Sequence, residues 1–232
     1  MAWKEEARKR AALEAAKHVN DGFIIGLGSG NTAAHAIKEV ARHVKQYELK
    51  ILGVPTSSQA MFLAVKCGIP LTTLDEHPRI DLTIDGADQI DEALNLIKGM
   101  GGALAREKIV ASVSKKYIIV VDETKIAERL GTNQVLPVEV MPFAASTIIS
   151  KIQNMGGIPI LRKGAAKVGA VVTDNGNYII DANFKYISDP SKLNMQLKLI
   201  PGVIETGLFL EMADIVYVGK SNSVHKMEKD SG

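Results

Sequence analysis

The stretch of sequence that decides the fold is Phe23-Ile24-Ile25-Gly26-Leu27-Gly28-Ser29-Gly30-Asn31-Thr32. It begins as a short apolar run, typical of a buried strand, and continues as a turn rich in glycine and hydroxyl groups. A helical pattern over residues 32–44 follows directly. A strand that leads through such a turn into a helix is the first half of a crossover unit, so this stretch predicts a parallel sheet.

The same alternation of apolar runs and helical patterns continues to about Gly131. It predicts a Rossmann-like α/β domain with a mainly parallel sheet, in which ligands bind outside the carboxyl ends of the strands. The further predicted strands are 50–54, 81–85 and 117–121, and the further helices are 5–19, 57–67 and 103–115.

From about Thr132 the pattern changes to β-α-β-β-α-β, the order of a ferredoxin-like unit. A predicted strand at 214–218 returns to the first sheet, so the first domain is discontinuous. We expect residues 1–131 plus 207–232 to form the Rossmann-like domain and residues 132–206 a smaller α+β domain. The elements predicted in the smaller domain are strands at 135–140, 158–161, 170–173, 178–181 and 202–206, helices at 144–155 and 190–199, and a hairpin turn at 174–177.

The charge balance of the 232-residue chain is near neutral, with 28 basic against 26 acidic residues. The chain therefore has no large positive charge of the kind that would indicate a nucleic-acid or membrane partner. Cys67 is the only cysteine, which excludes an internal disulfide and favours an intracellular protein. The sequence has neither a secretory signal nor an apolar run long enough to span a bilayer. We expect a soluble, cytoplasmic protein.

The glycine-rich turn argues against two common cofactor sites. A dinucleotide fingerprint would need its third glycine at Asn31, and the tripeptide Gly-Lys-Ser/Thr of a Walker loop is absent from the sequence. The backbone N–H groups of the turn and the dipole of the following helix favour an anion, and the hydroxyls of Ser29 and Thr32 can donate to phosphate oxygens. The alternative is that the turn only caps the helix.

An acidic turn, Asp85-Gly86-Ala87-Asp88, follows the apolar strand 81–85. Two carboxylates at the carboxyl end of a strand can bind sugar hydroxyls or transfer protons. The alternative is an aspartate turn that caps a helix. No histidine or cysteine cluster has metal-ligand spacing, so the sequence implies no metal.

A lysine-glycine turn, Lys98-Gly99-Met100-Gly101-Gly102, precedes the predicted helix 103–115. The glycines allow the backbone to approach a ligand closely, and Lys98 can stabilise a developing oxyanion. Glu107 lies one turn into the helix, where it can face the same cleft. The alternative for Glu107 is a surface ion pair with Lys108 or Arg106.

Taken together, these motifs resemble ribose-5-phosphate isomerases of the A type. The resemblance covers nearly the whole chain, in order. Its further motifs are Leu136-Pro137-Val138-Glu139-Val140, Val172-Thr173-Asp174-Asn175-Gly176-Asn177, Pro201-Gly202-Val203 and Thr206-Gly207-Leu208-Phe209.

The resemblance implies an aldose–ketose isomerase of the non-oxidative pentose phosphate pathway, without a cofactor, that forms a homodimer or homotetramer. Its substrates would be D-ribose 5-phosphate and D-ribulose 5-phosphate, interconverted through an enediolate. Glu107 matches the family's general base and Lys98 its enediolate-stabilising lysine, whereas Asp85 and Asp88 match the aspartates of the sugar site. The substrate-binding residues that it implies are Ser29, Gly30, Asn31, Thr32, Asp85, Gly86, Ala87, Asp88, Lys98, Gly99, Met100, Gly101 and Lys125.

Two positions depart from the commonest family pattern. Asn31 stands where serine or threonine is usual, and Met100 interrupts the glycine run. Asn31 can still offer its backbone N–H, so only its side-chain contact differs.

Three other functions stay open at this point. An amino-sugar phosphate deaminase on a similar fold should add a dedicated catalytic histidine, and a CoA transferase should show a glutamate nucleophile in a different context. A non-catalytic sugar-phosphate sensor should carry a DNA-binding helix with a basic face. None of these signals stands out in the sequence.

The first prediction concerns metal removal. Because the sequence has no metal-ligand cluster and no nucleotide fingerprint, exhaustive treatment with EDTA should leave isomerisation of ribose 5-phosphate unchanged. Activity that is lost on treatment and restored only by a divalent ion would contradict this prediction.

Overall fold

A computed structural model describes residues 2–164 and 168–229. In these ranges the chain forms six α-helices and thirteen strands, with two short 3₁₀ turns at Glu123–Lys125 and Pro142–Ala144. The helices are α1 (Ala2–Ala16), α2 (Gly30–Tyr47), α3 (Ser58–Lys66), α4 (Leu104–Ser112), α5 (Ala145–Asn154) and α6 (Pro190–Lys198). The strands are β1 (Ile24–Leu27), β2 (Leu52–Pro55), β3 (Leu82–Gly86), β4 (Gln89–Ile90), β5 (Leu96–Ile97), β6 (Tyr117–Asp122), β7 (Leu136–Val140), β8 (Ile158–Leu161), β9 (Tyr178–Asn183), β10 (Val203–Thr206), β11 (Leu208–Phe209), β12 (Ile215–Gly219) and β13 (Val224–Glu228).

The described residues divide into two compact units. The first holds the residues up to Ala87, Arg106–Lys125 and those from Met212, and the second holds Asp88–Ala105 and Ile126–Glu211. The sequence-based division placed residues 88–105 with the first domain. They lie in the second unit because β4 and β5 form a three-stranded antiparallel sheet with β11.

The first unit is built on a six-stranded sheet in the order β13-β12-β6-β3-β1-β2. All neighbours are parallel except β13, which runs antiparallel to β12 at one edge. The predicted Rossmann-like, mainly parallel sheet is thus confirmed. The chain passes from β1 to β2 on one side and then to β3 on the other, so the strand order reverses at β1. In open α/β sheets this reversal point is where ligands bind.

The residues of β3 and β6 are all buried, as expected for parallel strands covered on both faces. Helix α4 comes very close to the sheet at Gly26. A Cβ atom there would lie 2.0 Å from Oγ1 of Thr83 and 2.6 Å from Cγ1 of Val110. Only glycine at position 26 therefore allows α4 to pack at this depth over β1 and β3.

The second unit contains the predicted β-α-β-β-α-β order, formed by β7, α5, β8, β9, α6 and β10. The four strands of this motif are antiparallel in the order β10-β7-β9-β8, and the ferredoxin-like expectation is confirmed. Buried side chains of both helices and the inner strands form one core, which includes Ile148, Ile152, Leu197, Val138 and Ile180.

The prediction of a strand at residues 170–173 is wrong. This segment makes only isolated bridges, at Ala170 and at Val172. The chain instead turns around the buried carboxylate of Glu139, whose Oε1 accepts hydrogen bonds from Thr173, Asn175 and Asn177 at 2.9, 3.0 and 2.9 Å. These side-chain bonds favour a compact turn over an extended ladder.

Helix α1 is tied to the carboxyl end of β6 by an ion pair. Nε and Nη2 of Arg8 both lie 2.7 Å from Oδ2 of Asp122, whose side chain is buried. Burial alone would raise the pKa of Asp122, but hydrogen bonds from Thr124 and Arg8 outweigh it and hold that pKa below its ordinary value. The pair should therefore stabilise the fold above the ordinary carboxyl pKa and lose this effect as the pH falls through the lowered one.

We expect Arg8→Met to lower the free energy of unfolding at neutral pH by about 1–2 kcal/mol, since Arg8 is partly exposed. Chemical denaturation at several pH values is the measurement, and the loss should shrink in strong acid. The matched control is Lys9→Met, which removes an exposed pair with Glu6 and should change stability by less than about 0.5 kcal/mol. An Arg8→Met loss that is equally large in strong acid would contradict the assignment.

Candidate active site

Asp85 lies near the carboxyl end of β3, at the point where the strand order reverses, and its side chain is fully buried. Its Oδ1 accepts hydrogen bonds from the backbone N–H groups of Ser29, at 3.1 Å, and Gly86, at 2.7 Å. A buried carboxylate needs such donors because burial without them is costly. The carboxylate therefore joins the ends of β1 and β3.

The turn after β1 leaves no room for a side chain beside this carboxylate. A Cβ atom at Gly28 would lie 2.1 Å from Oδ1 of Asp85. The Gly28 N–H donates to the carbonyl of Ile84 at 3.0 Å, which continues the pairing of the two strands into the turn. Gly30 has a φ of 91°, a conformation that favours glycine, and α2 begins there.

A group of polar side chains surrounds Ser29. Its hydroxyl lies 2.7 Å from Oγ1 of Thr56 and 2.5 Å from Oγ of Ser57, both of which follow β2. The Gly30 N–H donates to Oε1 of Gln59 at 2.8 Å. Sequence analysis did not identify Thr56, Ser57 or Gln59, although hydroxyl groups directly after the next predicted strand were a usable signal.

These contacts refine the predicted phosphate site at Ser29–Thr32. The N–H groups of Ser29 and Gly30 already donate within the protein. The donors that face a ligand should therefore be the N–H groups of Asn31 and Thr32 in the first turn of α2, together with nearby hydroxyls. Asn31 is exposed and Thr32 partly exposed, so both can be reached from solvent.

Glu107 lies in the first turn of α4 with 4% of its surface exposed. It is three residues before Val110, so the two share a helix face, and Val110 packs against β1 at Gly26. Glu107 thus faces the sheet. Helix α4 leads into β6, which is parallel to β3. A helix that precedes a parallel strand begins at the carboxyl edge of the sheet, so Glu107, in the first turn of α4, lies at that edge.

Tyr117, the first residue of β6, was not identified from the sequence. It is buried, and its hydroxyl donates to Oδ2 of Asp85 over a long 3.5 Å. Burial, the charges of Asp85 and Glu107, and this hydrogen bond raise the pKa of Tyr117 well above its ordinary value. The phenol therefore stays protonated and acts as a donor beside two carboxylates.

Lys98 lies in the second unit with only 3% of its surface exposed. Its backbone N–H donates to the carbonyl of Gly207 at 2.9 Å, and its Nζ lies 5.4 Å from the centroid of the Phe209 ring. A Cβ at Gly207 would lie 2.4 Å from the Lys98 carbonyl oxygen. Gly207 therefore holds the backbone of Lys98 through a hydrogen bond and a close approach. The ring of Phe209 favours the positive charge of the lysine side chain.

Asp88 also lies in the second unit, where its Oδ2 accepts a hydrogen bond from the Met100 N–H at 3.0 Å. Its own N–H donates to the carbonyl of Ile97 at 2.8 Å. The second acidic residue is thus joined to the lysine-glycine turn. Gly99 and Gly102 have φ values of 105° and 80° in this turn, which explains the glycines there.

The remaining predicted residues have less specific surroundings. Gly86 and Ala87 are buried after Asp85, whereas Met100 and Gly101 are exposed at the tip of the lysine-glycine turn. Lys125 is partly exposed in the 3₁₀ turn that follows β6, at the carboxyl edge of the sheet. Among residues 2–164 and 168–229, no group of three or more metal-ligating side chains is arranged to hold a metal ion. No helix in these ranges could cross a membrane.

The geometry defines a class of protein. Two buried carboxylates and a protonated phenol lie at the switch point of a Rossmann-like sheet, beside a helix N-terminus suited to an anion. A second turn presents a nearly buried lysine next to glycines. The groups of the first unit fit an enzyme that moves protons on a small phosphorylated substrate.

Comparison with known proteins identifies the family. The model of the ribose 5-phosphate isomerase A (phosphoriboisomerase A) family matches residues 52–223. Ribose-5-phosphate isomerase A of Methanosarcina acetivorans is 46% identical over 224 residues, which are 96% of this chain and 94% of that protein. The chain therefore belongs to the ribose 5-phosphate isomerase A family, and the resemblance seen in its motifs is confirmed.

Solved structures agree along nearly the whole chain. Ribose 5-phosphate isomerase A from Methanocaldococcus jannaschii has a TM-score of 0.93 at 43% identity, over 97% of this chain and 99% of that one. A D-ribose-5-phosphate isomerase in complex with phospho-erythronic acid has a TM-score of 0.94 at 46% identity, with the same shares covered.

The phenol beside the two carboxylates generates a prediction. Tyr117→Phe removes one donor to Asp85 and should lower kcat/KM for ribose 5-phosphate about three- to tenfold, because one long hydrogen bond contributes about 0.5–1.5 kcal/mol. Steady-state kinetics on the folded variant is the measurement.

The matched control is Tyr217→Phe. Tyr217 lies on β12 of the same sheet, and the substitution removes its hydroxyl, which lies 2.8 Å from Nε2 of His18. This variant should keep wild-type kinetics. An equal change in both variants would mean that Tyr117 acts through general stability, and full activity of Tyr117→Phe would remove it from the site.

Proposed function

We propose that this chain interconverts D-ribose 5-phosphate and D-ribulose 5-phosphate through an enediolate, with Glu107 as the base. The observation that carries the proposal is membership of the ribose 5-phosphate isomerase A family over nearly the whole chain. The buried carboxylates of the first unit and the nearly buried lysine of the second supply the chemistry.

The reaction moves one proton between neighbouring carbons of the open-chain sugar. One base can take the proton from carbon 2 and return it to carbon 1. Glu107 suits this role because α4 holds it at the carboxyl edge of the sheet, close enough to Tyr117 for its charge to raise the pKa of that phenol. A general base of this kind contributes about 10²–10⁴-fold to the rate.

The enediolate oxygen needs a positive partner, and Lys98 is the proposed one. An ammonium group with little access to water interacts more strongly with a developing negative charge than an exposed one does. The lysine-glycine turn would add backbone N–H donors. In sequence, Glu107 follows Lys98 by nine residues.

Ring opening precedes proton transfer, and Asp85 is the proposed acid–base group at the ring oxygen. Asp85 and Asp88, three residues apart in sequence, would also bind the sugar hydroxyls. We assign the phosphate to the first turn of α2 and its hydroxyl neighbours, with Lys125 as a further cation. Binding energy from the remote phosphate would orient the reacting carbons.

The ligand of a similar structure supports a sugar-phosphate substrate. That D-ribose-5-phosphate isomerase was solved with phospho-erythronic acid. Such a molecule combines a phosphate with a planar carboxylate, and its two carboxylate oxygens resemble the two oxygens of an enediolate. Ligands that resemble the transition state bind more tightly than the substrate does.

Three further parts of the proposal come from the motif resemblance. The chain should need no cofactor, should form a homodimer or homotetramer, and should be cytoplasmic. Light scattering of the purified protein would decide the number of subunits.

The direct test is an assay of the purified chain with ribose 5-phosphate, followed by formation of ribulose 5-phosphate. Release of ammonia from an amino-sugar phosphate would instead indicate a deaminase, and acyl exchange with CoA would indicate a transferase. Binding without turnover would indicate a sensor.

For the base, the decisive variant is Glu107→Gln, which keeps size and polarity but cannot accept the proton. We expect kcat to fall at least about 10²-fold while ribose 5-phosphate still binds. Steady-state kinetics together with calorimetric titration of the substrate measures both quantities.

Glu39→Gln is the matched control, since Glu39 lies on α2 and forms an ion pair with the exposed Arg42. It should keep wild-type activity. If Glu107→Gln retained more than about a tenth of the wild-type kcat, well above the general-base range, Asp85 or Asp88 would become the leading base.

A further inference from the structure

Arg162, the residue directly after β8, makes a group of contacts that the proposed chemistry does not use. Its Nε and Nη2 lie 2.8 and 2.5 Å from the two carboxylate oxygens of Asp181 on β9. Both side chains are largely buried. This two-point pairing fixes the plane of the guanidinium group, because arginine presents its donors in a rigid fork.

The fixed guanidinium group directs its third nitrogen at the lysine-glycine turn. Nη1 donates to the carbonyl oxygens of Gly99, at 2.9 Å, and Met100, at 3.0 Å. All these residues belong to the second unit. An arginine that is held by a carboxylate and bridges two successive carbonyls constrains the backbone between them.

The peptide between Gly99 and Met100 is held at both ends. Its carbonyl oxygen accepts from Arg162, and its N–H donates to Oδ2 of Asp88 at 3.0 Å. Since a peptide group is planar, fixing its oxygen and its hydrogen fixes its orientation. Arg162 and Asp88 therefore act on one peptide from opposite sides.

This turn needs external support. Gly99 and Gly102 have positive φ values, and glycines lose more conformational freedom than other residues when a chain is ordered. At its other end the turn is fixed by the hydrogen bond from the Lys98 N–H to Gly207. Arg162 holds the turn on the other side of Lys98, at the carbonyl groups of Gly99 and Met100.

We infer that Arg162 is a positioning residue: paired with Asp181, it holds the lysine-glycine turn so that Lys98 and Asp88 present their side chains in the catalytic arrangement. The inference rests on the proposed function, because it gives Lys98 and Asp88 roles in that reaction. In this inference Arg162 acts through its contacts with the turn.

The test compares kcat with KM. Arg162→Met keeps the length of the apolar stem but removes every donor, and kcat should fall about a hundredfold, as expected when reacting groups shift by about an ångström. KM should change much less, because the phosphate is assigned to the first unit. Arg162→Lys keeps the charge but not the fork, so its kcat should also fall by at least about tenfold.

The matched control is Lys198→Met. Nζ of Lys198 also bridges a carbonyl, that of Ile204, and a carboxylate, that of Glu205, both at 2.9 Å in the same unit. It does not touch the lysine-glycine turn, so kcat should stay within about twofold of wild type. Thermal unfolding of each variant shows whether the protein is folded, and if Arg162→Met does not fold, Arg162→Lys carries the comparison.

A double variant separates positioning from general stability. In the Asp88→Ala background the N–H of the shared peptide has already lost its side-chain acceptor, so adding Arg162→Met should cost less than about threefold in kcat. Losses that multiply independently would overturn the inference, as would an Arg162→Lys variant with more than half of the wild-type kcat. If the wild-type chain does not isomerise ribose 5-phosphate at all, it is the proposed function that fails.

Discussion

The buried carboxylate of Asp85 is the constraint on which the first unit's site depends. A charged group inside a sheet is tolerated only if donors surround it, and here they are backbone N–H groups from the turn after β1 and from Gly86. The requirement fixes the path of that turn, excludes any side chain at Gly28 and sets where α2 begins. The phenol of Tyr117 then gives the same carboxylate a neutral donor on its other oxygen.

Much of the fold could be predicted from the sequence because its main elements carry strong periodic patterns. The run at 23–27 and the turn after it indicate a strand and a helix start without further information, and the β-α-β-β-α-β order is visible in the second half. The sheet of β4, β5 and β11 could not be predicted, because two-residue strands have no measurable periodicity. The segment 170–173 misled for a different reason: it is rich in β-branched residues typical of a strand, but Thr173 and the two asparagines that follow it, Asn175 and Asn177, bind the buried Glu139.

The residues of the candidate site also divide into those that the sequence identifies and those that only the structure shows. Asp85, Lys98 and Glu107 were identifiable because each lies in a short motif whose residue types suggest chemistry. Tyr117 was not, since a tyrosine at the start of an apolar strand looks like an ordinary core residue, and its partner Asp85 is 32 residues away. Arg162 and Asp181 each look like surface charges in sequence, and only folding shows that both are largely buried. Residues that act through another residue leave little local signal.

The most direct test of the account is to follow the proton that moves between carbons 2 and 1. The wild-type chain would be given ribose 5-phosphate carrying deuterium at carbon 2, in ordinary water, and stopped early in the reaction. A single carboxylate that removes and returns the proton predicts ribulose 5-phosphate with part of the deuterium at carbon 1 and part replaced by hydrogen from water. Complete transfer without exchange would indicate a hydride shift, and a product with no deuterium at carbon 1 would mean that the deuteron removed from carbon 2 is never the one returned; either result would contradict the account.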